Sequence, residues 1–123
     1  MKSILGNSRI ADLTFYKSGR IQISSRIGKG LAMEDGDVID IGVEDGEYYL
    51  YIKHRQPVGK HHAMVSPSSK HGGGFICSSI VLSRELLNLC GANEKLSLPC
   101  GEITQLPIGA AFPIITKLVI AND

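Results

Sequence analysis

The chain alternates polar and apolar residues over Arg20-Ile21-Gln22-Ile23-Ser24, the period of a strand with one face buried. Val38-Ile39-Asp40-Ile41 and Tyr48-Tyr49-Leu50-Tyr51-Ile52 are two further runs rich in β-branched and aromatic side chains. Between them Glu44-Asp45-Gly46-Glu47 carries the Asp-Gly turn signal, which predicts a hairpin over about 38–53. Upstream, residues 10–16 predict another strand that turns through Lys17-Ser18-Gly19 into Arg20. Residues 25–33 hold two glycines and leave room only for a short helix or loop between strands.

Over 56–74 all periodicity is lost among Pro57, Gly59, Pro67 and Gly72-Gly73-Gly74, and the sequence predicts one long loop. Beyond it the pattern restarts in a worn form. Ser79-Ile80-Val81-Leu82-Ser83 reads as a second copy of the Arg20 strand, with Ile80 corresponding to Ile21, Leu82 to Ile23, Ser83 to Ser24 and Leu86 to Ile27. Leu96-Ser97-Leu98 then matches the strand at Val38. The predicted organisation is a first half over 1–55, a basic Gly/Ser/Pro loop over 56–74, and a diverged second half over 75–123 that completes the same barrel. Each half would bury the apolar face of the other, since a lone hairpin is marginal in water. The fold class is therefore mainly β: a small barrel of two pseudo-symmetric halves with short helices.

The run Ser18-Gly19-Arg20-Ile21-Gln22-Ile23-Ser24 followed by Leu31-Ala32-Met33-Glu34-Asp35-Gly36-Asp37-Val38-Ile39-Asp40-Ile41 resembles the AbrB/MazE-like (SpoVT-AbrB) swapped-hairpin family. The resemblance covers about residues 10–53 and keeps its spacing without a gap. Three positions depart from the family pattern. Ser24 stands where proline is usual, Leu31-Ala32-Met33 replaces Leu-Gly-Ile, and the helix contains Arg26-Ile27-Gly28-Lys29 in place of Glu-Leu-Arg. The resemblance implies a DNA-binding regulator or antitoxin, usually homo-oligomeric, whose basic side chains near the first strand and helix face the duplex. By position it implies Arg20 and Lys29 as DNA contacts.

Charge adds to this picture. Residues 1–29 carry six bases against one acid, 30–47 carry seven acids and no base, and 48–84 carry five bases, all four histidines and no acid. The net charge of +1 conceals this segmentation, which can place a basic face opposite an acidic one. On charge alone Lys17 and Arg26 join Arg20 and Lys29, and Lys53, Arg55 and Lys60 extend the set into the loop as phosphate contacts. Arg84 is the counterpart of Arg20 in the second copy. Arginine forks onto phosphate or a guanine edge and lysine contributes a point charge, so the set combines positioning with readout.

Composition and motifs narrow the rest. At 123 residues and 43% hydrophobic content the chain suits a small globular domain and excludes large catalytic scaffolds. Cys77, Cys90 and Cys100 lack CxxC spacing and read as free thiols. His61, His62, His71 and Cys77 have no ligand spacing for zinc, so no metal or other cofactor is expected. His71-Gly72-Gly73-Gly74 has no GxSxG partner, there is no nucleotide-cradling glycine motif, and no catalytic residue is assigned. Apolar runs are too short for a membrane helix, and only Ile4 and Leu5 precede the polar run Gly6-Asn7-Ser8-Arg9, so a cytoplasmic protein is expected. Two functions compete: a DNA-binding regulator or antitoxin-like protein, and a non-enzymatic interaction or assembly module that has lost its DNA surface. The partners to expect are duplex DNA and a toxin in the first case and another protein in the second, as for an accessory or structural protein of a mobile element.

Overall fold

The computed structural model describes residues 11–54, 63–68, 74–117 and 121–122. In chain order the elements are β1 (Leu13–Tyr16), β2 (Arg20–Ile23), α1 (Ser25–Gly30), β3 (Val38–Glu44), β4 (Glu47–His54), β5 (Ala63–Met64) and β6 (Ser66–Ser68). They continue with β7 (Gly74–Ser78), α2 (Ile80–Cys90), β8 (Lys95–Leu98), β9 (Thr104–Leu106), β10 (Gly109–Ile114) and β11 (Ala121–Asn122). The protein is mainly β. Its strands form a six-stranded sheet, ordered β11-β8-β1-β2-β7-β6, and a five-stranded sheet, ordered β5-β3-β4-β10-β9, all antiparallel. Among the described residues the ladders make two sheets rather than one closed barrel.

The alternation of side chains fixes which face is buried. Leu13, Phe15, Ile21, Ile23, Leu96 and Leu98 share the inner face of the first sheet through the pairs Leu13↔Ile23, Phe15↔Ile21 and Phe15↔Leu96. Ile39, Leu50, Phe112 and Ile114 do the same in the second, and both sets belong to one apolar core. Each largest core side chain contributes roughly 1.5–3 kcal/mol by leaving water.

Among the described residues, strands of residues 1–55 pair with strands of residues 75–123 at three places: β1 with β8, β2 with β7 and β4 with β10. Within the two orders β1-β2 lies beside β7-β6 and β3-β4 beside β10-β9, while β8, β11 and β5 extend the sheets beyond these blocks. The run 79–83, expected to match the Arg20 strand, does not form one. Ser79-Ile80-Val81-Leu82 is not a strand: Ser79 caps α2, its Oγ accepting the Leu82 N–H, and Leu86 and Leu87 turn inward from the helix. The strand that pairs with β2 is β7, with Ile21 opposite Cys77. Ser24, whose Oγ accepts the Ile27 N–H at the start of α1, therefore corresponds to Ser79 rather than Ser83. A serine before β-branched residues satisfies both patterns locally, and the burial of Leu86 and Leu87 decides for helix.

The 56–74 stretch, read as one loop, contains β5, β6 and the first residue of β7. Short strands of this kind add edges to the two sheets, and Val65 between them is buried and donates its N–H to Asp37 O. The glycine that ends α1 also has a reason. A Cβ on Gly30 would stand 2.4 Å from Phe112 Cζ, so the helix approaches β10 only because that residue has no side chain. Ala32, where the family pattern carries glycine, keeps a left-handed backbone at φ 51°. No helix among the described residues is long and apolar enough to cross a membrane.

Candidate nucleic-acid interface

The turn between β1 and β2 determines where the leading cations go. Gly19 adopts φ +101°, and a Cβ there would lie 2.8 Å from Ile80 Cγ1, so only glycine lets the turn sit against the start of α2. The Gly19 carbonyl accepts the Ser79 N–H at 2.8 Å, and Ser83 Oγ donates to the carbonyl of Tyr16. These bonds dock α2 onto the turn that carries Lys17 and Arg20. Arg84, one turn into α2, donates its Nε to Lys17 O at 3.4 Å.

Four cations surround Tyr16 and the turn that follows it. On the outer face of the first sheet Tyr16 stands beside Lys95 of β8, with which it pairs. The Arg20 guanidinium lies 6.0 Å from the centre of its ring and the Lys95 ammonium 5.8 Å, which are cation–π distances. Lys17 and Arg84 complete the group; all four are exposed. Among the described residues only Lys17 of the four has a carboxylate in ion-pair reach, Glu94 at 3.6 Å, and both side chains are more than half exposed. Arg20, Arg84 and Lys95 take part in no ion pair among the described residues.

The other predicted cations lie elsewhere. Arg26, grouped with them on charge, is committed to structure: its Nη2 donates to Asp12 Oδ2 at 2.8 Å and to Cys100 O at 2.8 Å, and its Nε donates to Asp12 Oδ1 at 3.1 Å. The guanidinium also lies 5.3 Å from the Phe112 ring centre. Asp12 is buried and further accepts the Ser24 hydroxyl and the Cys100 N–H. Burial raises the Asp12 carboxyl, but the hydrogen bonds from Arg26, Cys100 and Ser24 and the Arg26 charge outweigh it and hold it below the usual carboxylate range. The hydrogen bond to Asp12 raises Arg26 correspondingly.

Lys29 is exposed in the last turn of α1, which starts from the end of β2 remote from Arg20. Lys53 belongs to the second sheet, 3.7 Å from Asp40, which also accepts the Tyr51 hydroxyl at 3.3 Å and the Ile41 N–H at 2.8 Å. Arg55 and Lys60 lie outside the described residues, as do His61, His62 and His71. Of the eight predicted cations the fold thus gathers Lys17, Arg20 and Arg84. Lys95 and Tyr16 were missed, because only the pairing of β1 with β8 brings them together.

The cysteines are free thiols. Burial pushes Cys77 and Cys100 up to about 12, which makes them poor nucleophiles. Among the described residues no group of three or more His, Cys, Asp or Glu side chains is placed to hold a metal ion. No protein-family model, curated protein or solved structure matches this chain.

Proposed function

We propose that the protein binds duplex DNA through the basic end of its first sheet, as a transcriptional regulator or antitoxin-like protein would. The observation that supports this reading is the gathering of Lys17, Arg20, Arg84 and Lys95 around Tyr16 and its turn, with one ion pair, Lys17–Glu94, among them in the described residues. Arg20 supplies a planar fork for phosphate or a guanine edge, and the lysines supply point charges that position the backbone. Holding Arg20 and Lys95 against an aromatic ring reduces the side-chain freedom lost when they meet phosphate.

The test is fluorescence anisotropy of labelled mixed-sequence duplex, repeated from low to physiological salt. Log affinity should fall linearly with log salt, with a slope of about −0.9 for each phosphate neutralised. Replacing Arg20 and Lys95 together with Ala should flatten that slope by about 2. No binding at low salt, or an unchanged slope in the double variant, refutes the assignment.

A second reading, the interaction or assembly module, draws support from a different region. The second sheet carries an open groove beside the β3–β4 turn, with Val43 60% exposed and Ile108 58% exposed on its walls.

A further inference from the structure

The groove on the second sheet has about 250 Å³ of free volume. Its walls are Val43 of β3, Tyr49 and Tyr51 of β4, and Leu106, Pro107 and Ile108 at the β9–β10 turn. No lysine or arginine lines it. Glu44 does, and Asp45 and Glu47 follow it around the turn, with Glu44 opposite Glu47 in register. None of these three acids takes part in an ion pair among the described residues. Partial burial raises the Tyr49 hydroxyl, and the nearby carboxylates of Glu47, Glu44 and Asp45 add to that rise, a mark of the negative potential at this rim.

The start of α2 has the complementary character. Ile80 is 55% exposed and Val81 73% exposed, although α2 buries Leu86 and Leu87 less than two turns later. Beside this apolar pair stand Lys17, Arg20 and Arg84, brought there by the Gly19–Ser79 and Lys17–Arg84 hydrogen bonds. One region is therefore an apolar hollow with an anionic rim, and the other an apolar knob with a cationic rim.

We propose that the acid-rimmed groove on the second sheet takes the cation-flanked first turn of α2 from a second copy of this chain. Apolar burial supplies attraction at the centre, and opposite charges at the rim fix orientation and speed the encounter. The two patches are small against a surface of 7383 Å², so the contact belongs to the weak class below about 1,200 Å² of total buried area. It does not depend on DNA binding, but it uses the same cations, so DNA and the second copy exclude each other at that end.

The test is sedimentation velocity of the full chain at low salt over a wide concentration range. Association should rise with concentration and fall as salt screens the rims. A Glu44→Lys, Glu47→Lys variant and an Arg20→Glu, Arg84→Glu variant should each self-associate about tenfold more weakly or worse, and mixing the two should restore association through swapped charges. All four positions are exposed, and an unchanged thermal melt confirms the fold in each variant. Val43→Asp should weaken association in the same way from the groove wall. A chain that stays monomeric at every concentration in low salt overturns the proposal, as does failure of the mixed variants to associate. If the chain stays monomeric while a synthetic Lys/Leu peptide perturbs tyrosine fluorescence in wild type and not in Val43→Asp, the groove serves another protein and the proposal is likewise overturned. The Glu44→Lys, Glu47→Lys variant leaves the proposed DNA contacts intact, so loss of association with retained DNA binding separates the two readings.

Discussion

Arg20 and Arg26 carry the same group on neighbouring elements, and the fold treats them oppositely. Arg26 lies over Phe112 and is tied to a buried carboxylate, so its charge is neutralised within the structure. Arg20 lies over Tyr16 without a carboxylate partner among the described residues, so its charge is presented to solvent. The stacking on a ring is common to both; the acid makes the difference. Asp12 is the one acid in the first 29 residues, and it removes one cation from a segment whose charge count alone suggests a continuous basic face. A charged segment therefore becomes a binding surface only after its internal pairs have been subtracted.

The largest test of this contrast is to break the Arg26 end. Asp12→Ala leaves the Cys100 N–H without its acceptor and the Arg26 guanidinium without its carboxylate, and should cost about 3 kcal/mol, the lower end of the range for broken buried pairs because Arg26 is half exposed and keeps the Cys100 carbonyl. Urea denaturation checks it, and a loss below about 1 kcal/mol would refute the structural role. The same carboxylate sets an acid limb. Its folded-state pKa lies below the unfolded value of about 3.9, so its stabilisation is complete above that value and is lost as pH falls toward the folded one. Asp12→Ala should flatten the stability profile below about pH 4 and leave neutral pH affinity for DNA unchanged.

A smaller effect is expected at the ring on which Arg26 rests. Gly30→Ala gains helix propensity of about 1 kcal/mol but drives a methyl into Phe112, an overpacking cost of about 1–3 kcal/mol, for a net loss near 1 kcal/mol. A thermal melt that rises instead would show that Phe112 yields easily. The smallest effect belongs to the open end. Glu94→Gln releases Lys17 from an exposed pair and should change stability by less than about 0.5 kcal/mol while strengthening DNA binding at low salt. Weaker binding in that variant would mean that Glu94 orients Lys17 rather than competing for it.

Much of the first half could be read from the sequence, for a local reason. The alternation at Arg20–Ile23 and the Asp45-Gly46 turn specify β2 and the β3–β4 hairpin through contacts close along the chain. In the second half Ser79-Ile80-Val81-Leu82-Ser83 fits a strand by alternation and a capped helix by its serine, and the two are separated by tertiary contacts, the burial of Leu86 and Leu87 and the pairing of β7 with β2. Arg84 reached the candidate site although the strand expected just before it is a helix that includes it. Lys95 could not be placed, because its neighbour Tyr16 is remote in sequence. Arg26 was assigned to the duplex because a count of charges does not show that Ser24, Asp12 and Cys100 converge on it.

The pairing of β1 with β8 also bears on how the chain is made. Thr14 and Ser97, hydrogen-bonded through their hydroxyls in that ladder, are 83 residues apart. During synthesis β1 must therefore wait for a strand some eighty residues later before its second edge is filled. That high contact order predicts a slow, millisecond-to-second closure of the first sheet, during which the edges of β1 and β2 stand open to other chains.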